Sequence, residues 1–291
     1  MSAPSQRAIL YPVGRHARLL VLGLQPGAEP RAALARVGTL RADDRTVVGV
    51  GRSLLAVSFL RDLRPFPSLT GPGTTFPSTQ GAVFASIGGD DPGELLHAGR
   101  SLVAALGDAF RVDEDVHGFQ YAGGRDLSGF EDGTENPRGD AAERTAIVAG
   151  HGAGLDGGSF VAAQRWVHDL DRLAALPKHE RDRSIGRSLD TNEELPDAPP
   201  SAHVKRAAQE TFDPPAFMLR RSMPWGTVGE HGLFFVAYGA SLDPYERVLR
   251  RMAGLDDGVV DGLLRFTRPV SGGYYFCPPV RDGALDLRAL T

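Results

Sequence analysis

A short segment near the middle of the chain concentrates side chains that could hold and move protons. GFEDGTENP, residues 129–137, carries two glycines and a proline around four acidic or amide side chains: Glu131, Asp132, Glu135 and Asn136. Glycine permits backbone angles closed to other residues and lets the chain approach a flat ligand. On residue types alone, a solvated Asx-rich turn is the more ordinary interpretation. The segment is therefore a candidate acid–base site that needs partners from elsewhere.

A candidate metal ligand follows about 70 residues later. None of the eight histidines forms an i, i+4 pair of the kind found in zinc-binding helices. His203 differs from the others because it follows Pro199 and Pro200, which fix an extended entry, and Ser201, which can cap a short helix. This placement would hold an imidazole rigidly at a helix start. The alternative is a structural or solvated histidine.

Two adjacent arginines, Arg220 and Arg221, lie in FMLRRSMPWG, where they follow an apolar stretch and precede Ser222. Side chains alternate between the two faces of a strand, so at most one arginine points inward. Strand parity places Arg220 and Ser222 on one face. The alternative is a surface pair on an edge strand. The single cysteine, Cys277, lies between aromatics and prolines, which is typical of a buried structural thiol.

Several catalytic classes are excluded by missing motifs. The chain has no Walker A loop, no GxSxG, no HExxH, and no GxGxxG after a strand. One cysteine excludes an intrachain disulfide and a cysteine-rich metal site.

The elements that would position these residues show an internal repeat. Ala82–Leu106 and Leu233–Leu255 each begin with an apolar run of strand length and continue, after an Asp-Pro pair, with a run of helical period. Asp91 and Asp243 are predicted N-caps, each followed by proline and then by glutamate three residues after the cap. We therefore predict a duplicated strand–helix unit, the alternative being chance similarity.

Other segments complete this outline. Predicted strands cover residues 18–24, 54–60, 158–167 and 216–221, and predicted helices cover residues 30–37 and 169–176. Strands and helices mix without regular βαβα alternation, which favours an α+β fold of two βαββαβ units. Long polar loops cover residues 61–80, 123–154 and 186–202. The predicted domains are residues 1–150 and 151–291.

Composition limits the partners of the protein. The chain has 291 residues, and 32 basic against 36 acidic residues give a net charge of −4, so nothing indicates nucleic-acid binding. The longest clean apolar run, residues 232–240, is far shorter than a membrane span, and the N-terminal segment lacks the pattern of a signal peptide. These features predict a cytoplasmic protein without a membrane partner.

The order and spacing of the motifs resemble the dye-decolorising peroxidases, in particular the bacterial B type. The resemblance covers most of the chain and is clearest over residues 118–280. Its motifs are GFEDGTENP at 129–137, WVHDLDRL at 166–173, IGRSLDTNEEL at 185–195, AHVKR at 202–206, LRRSMPWG at 219–226, and the segment 251–279. The GxxDG core is weak alone, but a histidine about 70 residues later and an arginine 17 residues beyond it make the combination specific.

This resemblance implies a duplicated ferredoxin-like α+β fold that binds haem b mostly through its C-terminal half. His203 matches the axial iron ligand, and Asp261 matches the acidic residue that orients it. Asp132 and Arg220 match the distal aspartate and arginine, and Ser222 matches a distal position. Two further haem contacts are expected from the residues Arg187 and Asn136. A second arginine after Arg220 departs from the family pattern.

The implied activity is peroxide reduction coupled to oxidation of dyes, phenols or other one-electron donors through a ferryl intermediate. The implied partners are hydrogen peroxide and a donor, in a homo-oligomer. Bulky dyes cannot enter a small haem pocket, so electrons are expected to pass through aromatics, with Trp225 the first choice among Trp166, Trp225, Tyr121, Tyr238, Tyr245, Tyr274 and Tyr275. Two alternatives remain, a haem- or porphyrin-handling protein with little turnover and a structural α+β protein without haem.

Overall fold

The computed structural model describes residues 4–55, 60 and 62–291. The first half forms two layers, a four-stranded sheet covered by helices. Its strands are β1 (His16–Leu24), β2 (Thr46–Gly51), β5 (Val83–Gly89) and β6 (Phe110–Phe119), and its helices are α1 (Pro30–Val37) and α2 (Pro92–Leu106). A small hairpin, β3 (Leu69–Gly71) and β4 (Thr74–Phe76), lies between β2 and β5.

The second half repeats this plan with a longer connection after its first strand. After α3 (Asp140–Ala146) come β7 (Ser159–His168) and the helices α4 (Leu170–Ala175), α5 (Lys178–Ile185) and α6 (His203–Arg206). The remaining elements are β8 (Leu219–Arg220), β9 (Met223–Gly226), β10 (His231–Gly239), α7 (Asp243–Met252), β11 (Thr267–Pro269) and β12 (Gly273–Cys277). A hairpin, β13 (Val280–Arg281) and β14 (Ala284–Leu285), follows β12.

Strand order shows that the two halves share one topology. The first sheet has the order β6-β1-β5-β2, with all pairs antiparallel. In the second sheet β7 pairs with β11 and β12 on one side and with β10 on the other, and β10 pairs with β8 and β9. Both sheets therefore follow the fourth-first-third-second order of a βαββαβ unit, which confirms the predicted α+β fold.

The two sheets close into a barrel through two short seams. In one seam, Gly118 of β6 pairs with Trp225 of β9. In the other, Gly51 and Val50 of β2 pair with Tyr275 and Phe276 of β12. The barrel interior is filled by buried side chains from both sheets, among them Leu19, Phe84, Val161, Phe234 and Tyr275. Side chains of alternate strand residues point outward, where the helices cover them. The candidate site lies on this outer face of the second sheet.

The predicted repeat corresponds to equivalent elements, because Ala82–Leu106 contains β5 and α2 and Leu233–Leu255 contains most of β10 and α7. The Asp91 carboxylate accepts from the backbone N–H of Glu94 at 2.9 Å, as an N-cap does. The prediction for Asp243 is wrong. Leu242 occupies the N-cap position, and Asp243 instead pairs with Arg64 at 3.3 Å.

The predicted strand over residues 216–221 is shorter in the structure, where β8 covers Leu219–Arg220. The backbone N–H groups of Ala216 and Met218 bond to the backbone and side-chain oxygens of Gln209, so this stretch is held by a loop rather than by a strand. The strand predicted over residues 54–60 lies largely outside the described residues. Its described start, Leu54, belongs to a short 3-10 helix.

No helix in the described part of the chain is long and apolar enough to cross a membrane. The division into domains at residue 150 stays a prediction. The segment between β6 and β7 contains α3, and Ala240 at the end of β10 donates its backbone N–H to the carbonyl of Thr145 in that helix.

Candidate functional site

A deep cleft opens on the outer face of the second sheet, between β7 and β10 on one side and α5, α6 and α7 on the other. The space between these elements amounts to about 960 Å³, which includes the solvent at its open mouth. Most of its lining is apolar, including Phe130, Ile185, Phe235, Leu249 and Met252. Such walls favour a flat hydrophobic ligand.

His203 projects into this cleft from the first residue of α6. Its Nδ1 lies 2.8 Å from Asp261 Oδ2. Asp261 is 1 % exposed and is itself fixed, because its Oδ1 accepts from the backbone N–H of Leu263 and its own N–H donates to the carbonyl of Met252. Burial disfavours the charged imidazole, but the Asp261 carboxylate outweighs burial and raises the pKa of His203. With Nδ1 engaged, Nε2 is the nitrogen left to bind a metal.

Further contacts hold the short helix α6 in place. Arg206, which is 5 % exposed, forms two hydrogen bonds with the Asp257 carboxylate, at 2.7 and 2.8 Å. The backbone N–H of Gly262 donates to the carbonyl of Ser201 at 2.7 Å. The predicted capping by Ser201 is wrong, since Ala202 occupies the N-cap position. The histidine is therefore positioned by tertiary contacts rather than by a helix cap.

Asp132 and Arg220 line the same cleft as His203. The loop that carries Asp132 turns sharply, with positive φ angles of 90° at Gly129 and 74° at Gly133, which glycine adopts without strain. The Asp132 N–H donates to the carbonyl of Gly124 at 3.2 Å. The glycines of the motif thus serve a defined turn that brings this carboxylate to the cleft.

Asn136 has a different place from the one predicted. Its amide does not lie on the cleft wall formed by the described residues, and both of its polar atoms bond to the backbone of Arg220, at 2.7 and 2.8 Å. The last part of the GFEDGTENP segment therefore fastens the strand that presents the arginine. Asn136 thus positions the backbone of Arg220, and its predicted contact with haem stays a prediction.

The two adjacent arginines point into different spaces. Arg220 lines the cleft, whereas Arg221 lines a separate cavity beside Tyr238 and donates to the carbonyl of Leu10 at 2.7 Å. Burial lowers the pKa of Arg221. Ser222 lies outside the cleft lining of the described residues, and its hydroxyl accepts from the N–H of Val236 at 3.3 Å. Its predicted distal role stays a prediction.

A second cavity of about 1160 Å³ adjoins the cleft and shares His203, Asp132 and Arg220 with it. Arg187 lines this second cavity, with its Nη2 lying 3.6 Å from Glu135 and 3.7 Å from Glu194. A guanidinium in this position can donate hydrogen bonds to a carboxylate of a ligand. The predicted contact of Arg187 with a haem propionate is consistent with this position and stays a prediction.

Unpartnered polar atoms provide a test of whether haem fits this cleft. Arg220 Nε, Gln164 Nε2 and Trp166 Nε1 are buried without a hydrogen-bond partner among the described residues, and all three side chains line the cleft. Buried donors without a partner are costly. A ligand or its bound water would satisfy them, and the apolar walls with one imidazole nitrogen available suit an iron porphyrin.

The aromatic candidates for electron transfer separate into two groups. Trp225, the first choice from the sequence, is 7 % exposed and lies in the barrel core, where its Nε1 donates to the carbonyl of Trp166. Tyr238 and Tyr275 also lie in that core. In contrast, Tyr245 lines the cleft and packs edge-on against Tyr274 with ring centroids 5.8 Å apart.

The structure brings to the cleft a pair that the sequence interpretation missed. Asp126 Oδ1 lies 2.9 Å from His168 Nε2, and both residues line the cleft. The residues are 42 positions apart, so no local spacing indicates their contact. The sequence offered one indication of a role in the site: Asp126 lies just before the GFEDGTENP segment, and His168 lies within WVHDLDRL.

Sequence comparisons place both halves of the chain in one family. The family model "Dyp-type peroxidase, N-terminal" matches residues 6–120, and "Dyp-type peroxidase, C-terminal" matches residues 123–282. A "Dye-decolorizing peroxidase" of Mycobacterium tuberculosis is 32 % identical over 299 residues, covering 96 % of this chain and 89 % of the relative.

Solved structures agree with this similarity. A "Dye-decolorizing protein" from V. cholerae is 30 % identical with a TM-score of 0.83, covering 94 % of this chain and 96 % of the other. A DypB variant from Rhodococcus jostii RHA1 "in complex with heme" is 32 % identical with a TM-score of 0.84, covering 96 % and 97 % of the two chains.

Proposed function

The chain belongs to the Dyp-type peroxidase family, whose members are haem-dependent peroxidases, and we propose that its cleft holds haem b with His203 as the axial ligand. The observation that carries this proposal is one apolar cleft lined by the His203–Asp261 pair together with Asp132 and Arg220. The enzyme would reduce hydrogen peroxide and oxidise dyes or other one-electron donors. The DypB structures among its neighbours support the B type.

The haem supplies an iron that exchanges electrons with peroxide, and the residues around it control the protons and charges. Asp261 accepts the Nδ1–H of His203, which fixes the imidazole tautomer and makes Nε2 a stronger electron donor. The backbone N–H of Leu263 donates to Oδ1 and keeps the Asp261 carboxylate from turning away, while the N–H of Asp261 donates to the carbonyl of Met252 and holds its main chain. With haem bound, a strongly donating His203 would stabilise the oxidised iron from which the reaction starts.

Asp132 and Arg220 are proposed to act on peroxide. Peroxide must lose a proton from one oxygen and gain one on the other, and a carboxylate can transfer it directly or through water. The fixed guanidinium of Arg220 stabilises negative charge that develops as the oxygen–oxygen bond breaks, and it remains charged throughout. The two bonds from Asn136 to the backbone of Arg220 keep this charge in position.

Electrons from a bulky donor at the surface near Arg64 are proposed to reach the cleft through two buried side chains, Tyr274 and Tyr245. The Tyr274 hydroxyl lies 3.4 Å from Glu246 Oε2, which pairs at 2.7 Å with the partly exposed Arg64. Tyr245 then connects Tyr274 to the cleft. Tyr274→Phe should slow oxidation of a bulky dye and leave the reaction with peroxide unchanged. Equal steady-state rates for the variant and the wild type would contradict this route.

The decisive test of the function is an absorption spectrum of the haem-loaded protein before and after one equivalent of hydrogen peroxide. A peroxidase should show a Soret band that changes rapidly after peroxide is mixed in, as followed by stopped flow. The original band should return when a donor is added. A Soret band that does not respond to peroxide would favour a haem-handling protein. No Soret band after haem supplementation would contradict haem binding altogether.

Two finer properties also remain proposals. Cytoplasmic location is supported by the single cysteine, Cys277, which is fully buried and free, and whose pKa is raised by that burial. Cell fractionation would test it. The homo-oligomer rests on the family resemblance alone, and light scattering of the purified protein would test it.

A further inference from the structure

The buried pair of His168 and Asp126 lies in a wall that separates two cavities. His168 and Thr267 line both the cleft and a groove of about 1020 Å³ on the other side of the wall. Asp126 lines the cleft. His168 is 7 % exposed, and Asp126 Oδ2 accepts from the backbone N–H of Ser128 at 2.8 Å. A titratable pair therefore borders the reaction space on one side and the groove on the other.

Thr267 allows the pair to exist with two different numbers of protons. Its Oγ1 lies 2.6 Å from His168 Nδ1 and 3.0 Å from the carbonyl of Val167, but a hydroxyl has a single hydrogen. When the hydroxyl donates to Val167, Nδ1 must donate to Oγ1, and a further proton lies between Nε2 and Asp126. When the hydroxyl instead donates to Nδ1, the ring is neutral and keeps its hydrogen on Nε2. Both forms keep hydrogen bonds at both ring nitrogens.

We propose that His168 and Asp126 form a proton store that supplies the cleft during peroxide reduction, with Thr267 accommodating the loaded and unloaded forms. On discharge, the hydrogen on Nδ1 passes to an acceptor in the cleft, which both His168 and Thr267 line. The Thr267 hydroxyl then turns to donate to Nδ1, and the hydrogen on Nε2 stays between the ring and Asp126. The pair then consists of a neutral imidazole and a carboxylate, so its charge is lower by one. One proton taken from solvent in the groove restores it. This proposal rests on the proposed peroxidase function.

Charges around the pair support proton storage at this place. Burial disfavours the charged form of Asp126, but the hydrogen bonds from His168 and Ser128 outweigh burial and lower its pKa. Charged or titratable groups on the cleft side are Glu131, Asp132, His203, Arg220 and Tyr245. Those on the groove side are Asp169, Asp171, Arg172, His231, Arg265 and Arg268. Among the described residues, Asp126 is the charged group that contacts the His168 ring directly.

A purely structural role is the competing explanation. Asp126 belongs to the loop that leads to Asp132, since its N–H donates to the carbonyl of Phe130 and its carbonyl accepts from Gly129. Its contact with His168 ties this loop to the end of β7. Loss of the tie would displace Asp132 and slow the enzyme without any proton transfer, so the test needs a readout of the proton itself.

The first measurement is ¹⁵N NMR of the histidine rings in the full-length protein before haem loading. Across spectra recorded at different pH values, the His168 ring should change from a form with hydrogen on both nitrogens to a neutral form with hydrogen on Nε2. Thr267→Val, which removes the hydroxyl, should change this transition. One unchanging protonation state at all of these pH values would overturn the proposal, whatever the catalytic activity.

The second measurement is the rate of reaction of the haem-loaded enzyme with hydrogen peroxide at increasing phosphate concentration and constant ionic strength. His168→Gln should be slower by about tenfold, because general acid catalysis contributes ~10²–10⁴ and water replaces part of it. Phosphate should restore part of the rate in the variant and leave the wild type unaffected. Asp126→Asn should behave in the same way, and the double variant should lose little more.

His231→Gln is the matched control, since His231 lies in the same groove away from the shared wall and bonds to the carbonyl of Thr227. It should retain wild-type kinetics. If His168→Gln were slow and phosphate did not restore its rate, the pair would have only a structural role, and the proposed proton store would be wrong. If the wild type failed to react with peroxide, the proposed function would be wrong, and the NMR result would still decide whether the pair stores a proton. The NMR result also decides if the variants do not fold.

Discussion

The two halves share a topology, but they use the outer face of their sheets differently. In β1 the outward side chains include Leu20 and Leu22, which are buried in the main core under α2. In β7, the equivalent strand, the outward side chains are Gln164, Trp166 and His168, and they line the cleft. The same strand position therefore serves packing in one half and a ligand site in the other.

The connection after the first strand explains this difference. In the first half, residues 25–45 join β1 to β2 and contain one helix, α1. In the second half, residues 169–218 join β7 to β8 and contain α4, α5 and α6. This longer connection holds α6 away from the sheet and brings His203 to face it. On this repeated scaffold, the longer crossover accompanies the change from a packed surface to a cleft.

The largest effect on the cleft is expected from His203→Ala. The variant should lose stable haem loading while it keeps its fold, because the imidazole is the proposed iron ligand. The Soret band and the circular dichroism spectrum measure the two properties. His97→Ala, at an exposed histidine of α2 in the first half, is the control and should load haem normally. Haem binding by His203→Ala with an unchanged spectrum would show that another residue ligates the iron.

Arg220→Leu should follow in size. Losing one group that stabilises developing charge typically costs ~10²–10³ in rate, so the stopped-flow reaction with peroxide should slow by about that factor. Asp132→Asn should slow it less, since ordered water can partly replace a carboxylate, and should alter its pH dependence. Arg221→Leu is the control because Arg221 lines the separate cavity beside Tyr238 and not the cleft. A crippled Arg221→Leu enzyme beside an active Arg220→Leu enzyme would contradict the assignment.

Asp261→Asn is expected to change the iron rather than the reaction space. The variant replaces the carboxylate beside His203 with a neutral amide. Because the imidazole then loses its negatively charged partner, the reduction potential of the iron should rise. Spectroelectrochemical titration measures this potential. Asp257→Asn is the matched control, because Asp257 anchors α6 through Arg206 without contacting His203. An equal shift in both variants would indicate displacement of α6 instead of an effect on the ligand.

The smallest effect on the cleft is expected from a change in the first half. Leu22→Ala removes a fully buried side chain and should lower the free energy of unfolding by ~2–5 kcal/mol. The haem spectrum and the rate with peroxide should stay at wild-type values at low temperature. Thermal unfolding with and without haem measures the loss of stability. A changed spectrum in this variant would show that the two halves are coupled more closely than their separate surfaces indicate.

Sequence reasoning found the parts of this molecule that depend on local pattern or on a family motif. The Asp-Pro pairs indicate the repeat because proline in the first helical turn is a local signal that α2 and α7 share, although only Asp91 caps its helix. The helix α1 has the predicted bounds. The contacts of Asn136 with the Arg220 backbone and of His168 with Asp126 were not predicted, since they join residues 84 and 42 positions apart. Strand parity placed Ser222 on the face of Arg220, but among the described residues it does not line the cleft, so its distal role stays a prediction.

The seams of the barrel have a consequence for the order in which the protein folds. The first sheet is complete once β6 has formed, whereas β2 finds its outer neighbour more than 200 residues later, in β12. Pairings so far apart in sequence form late, because the loop they close is costly in entropy. The Asp261 that orients His203 also lies 58 residues beyond it. Haem uptake by refolding protein would therefore report the last stage of folding, long after most of the secondary structure has formed.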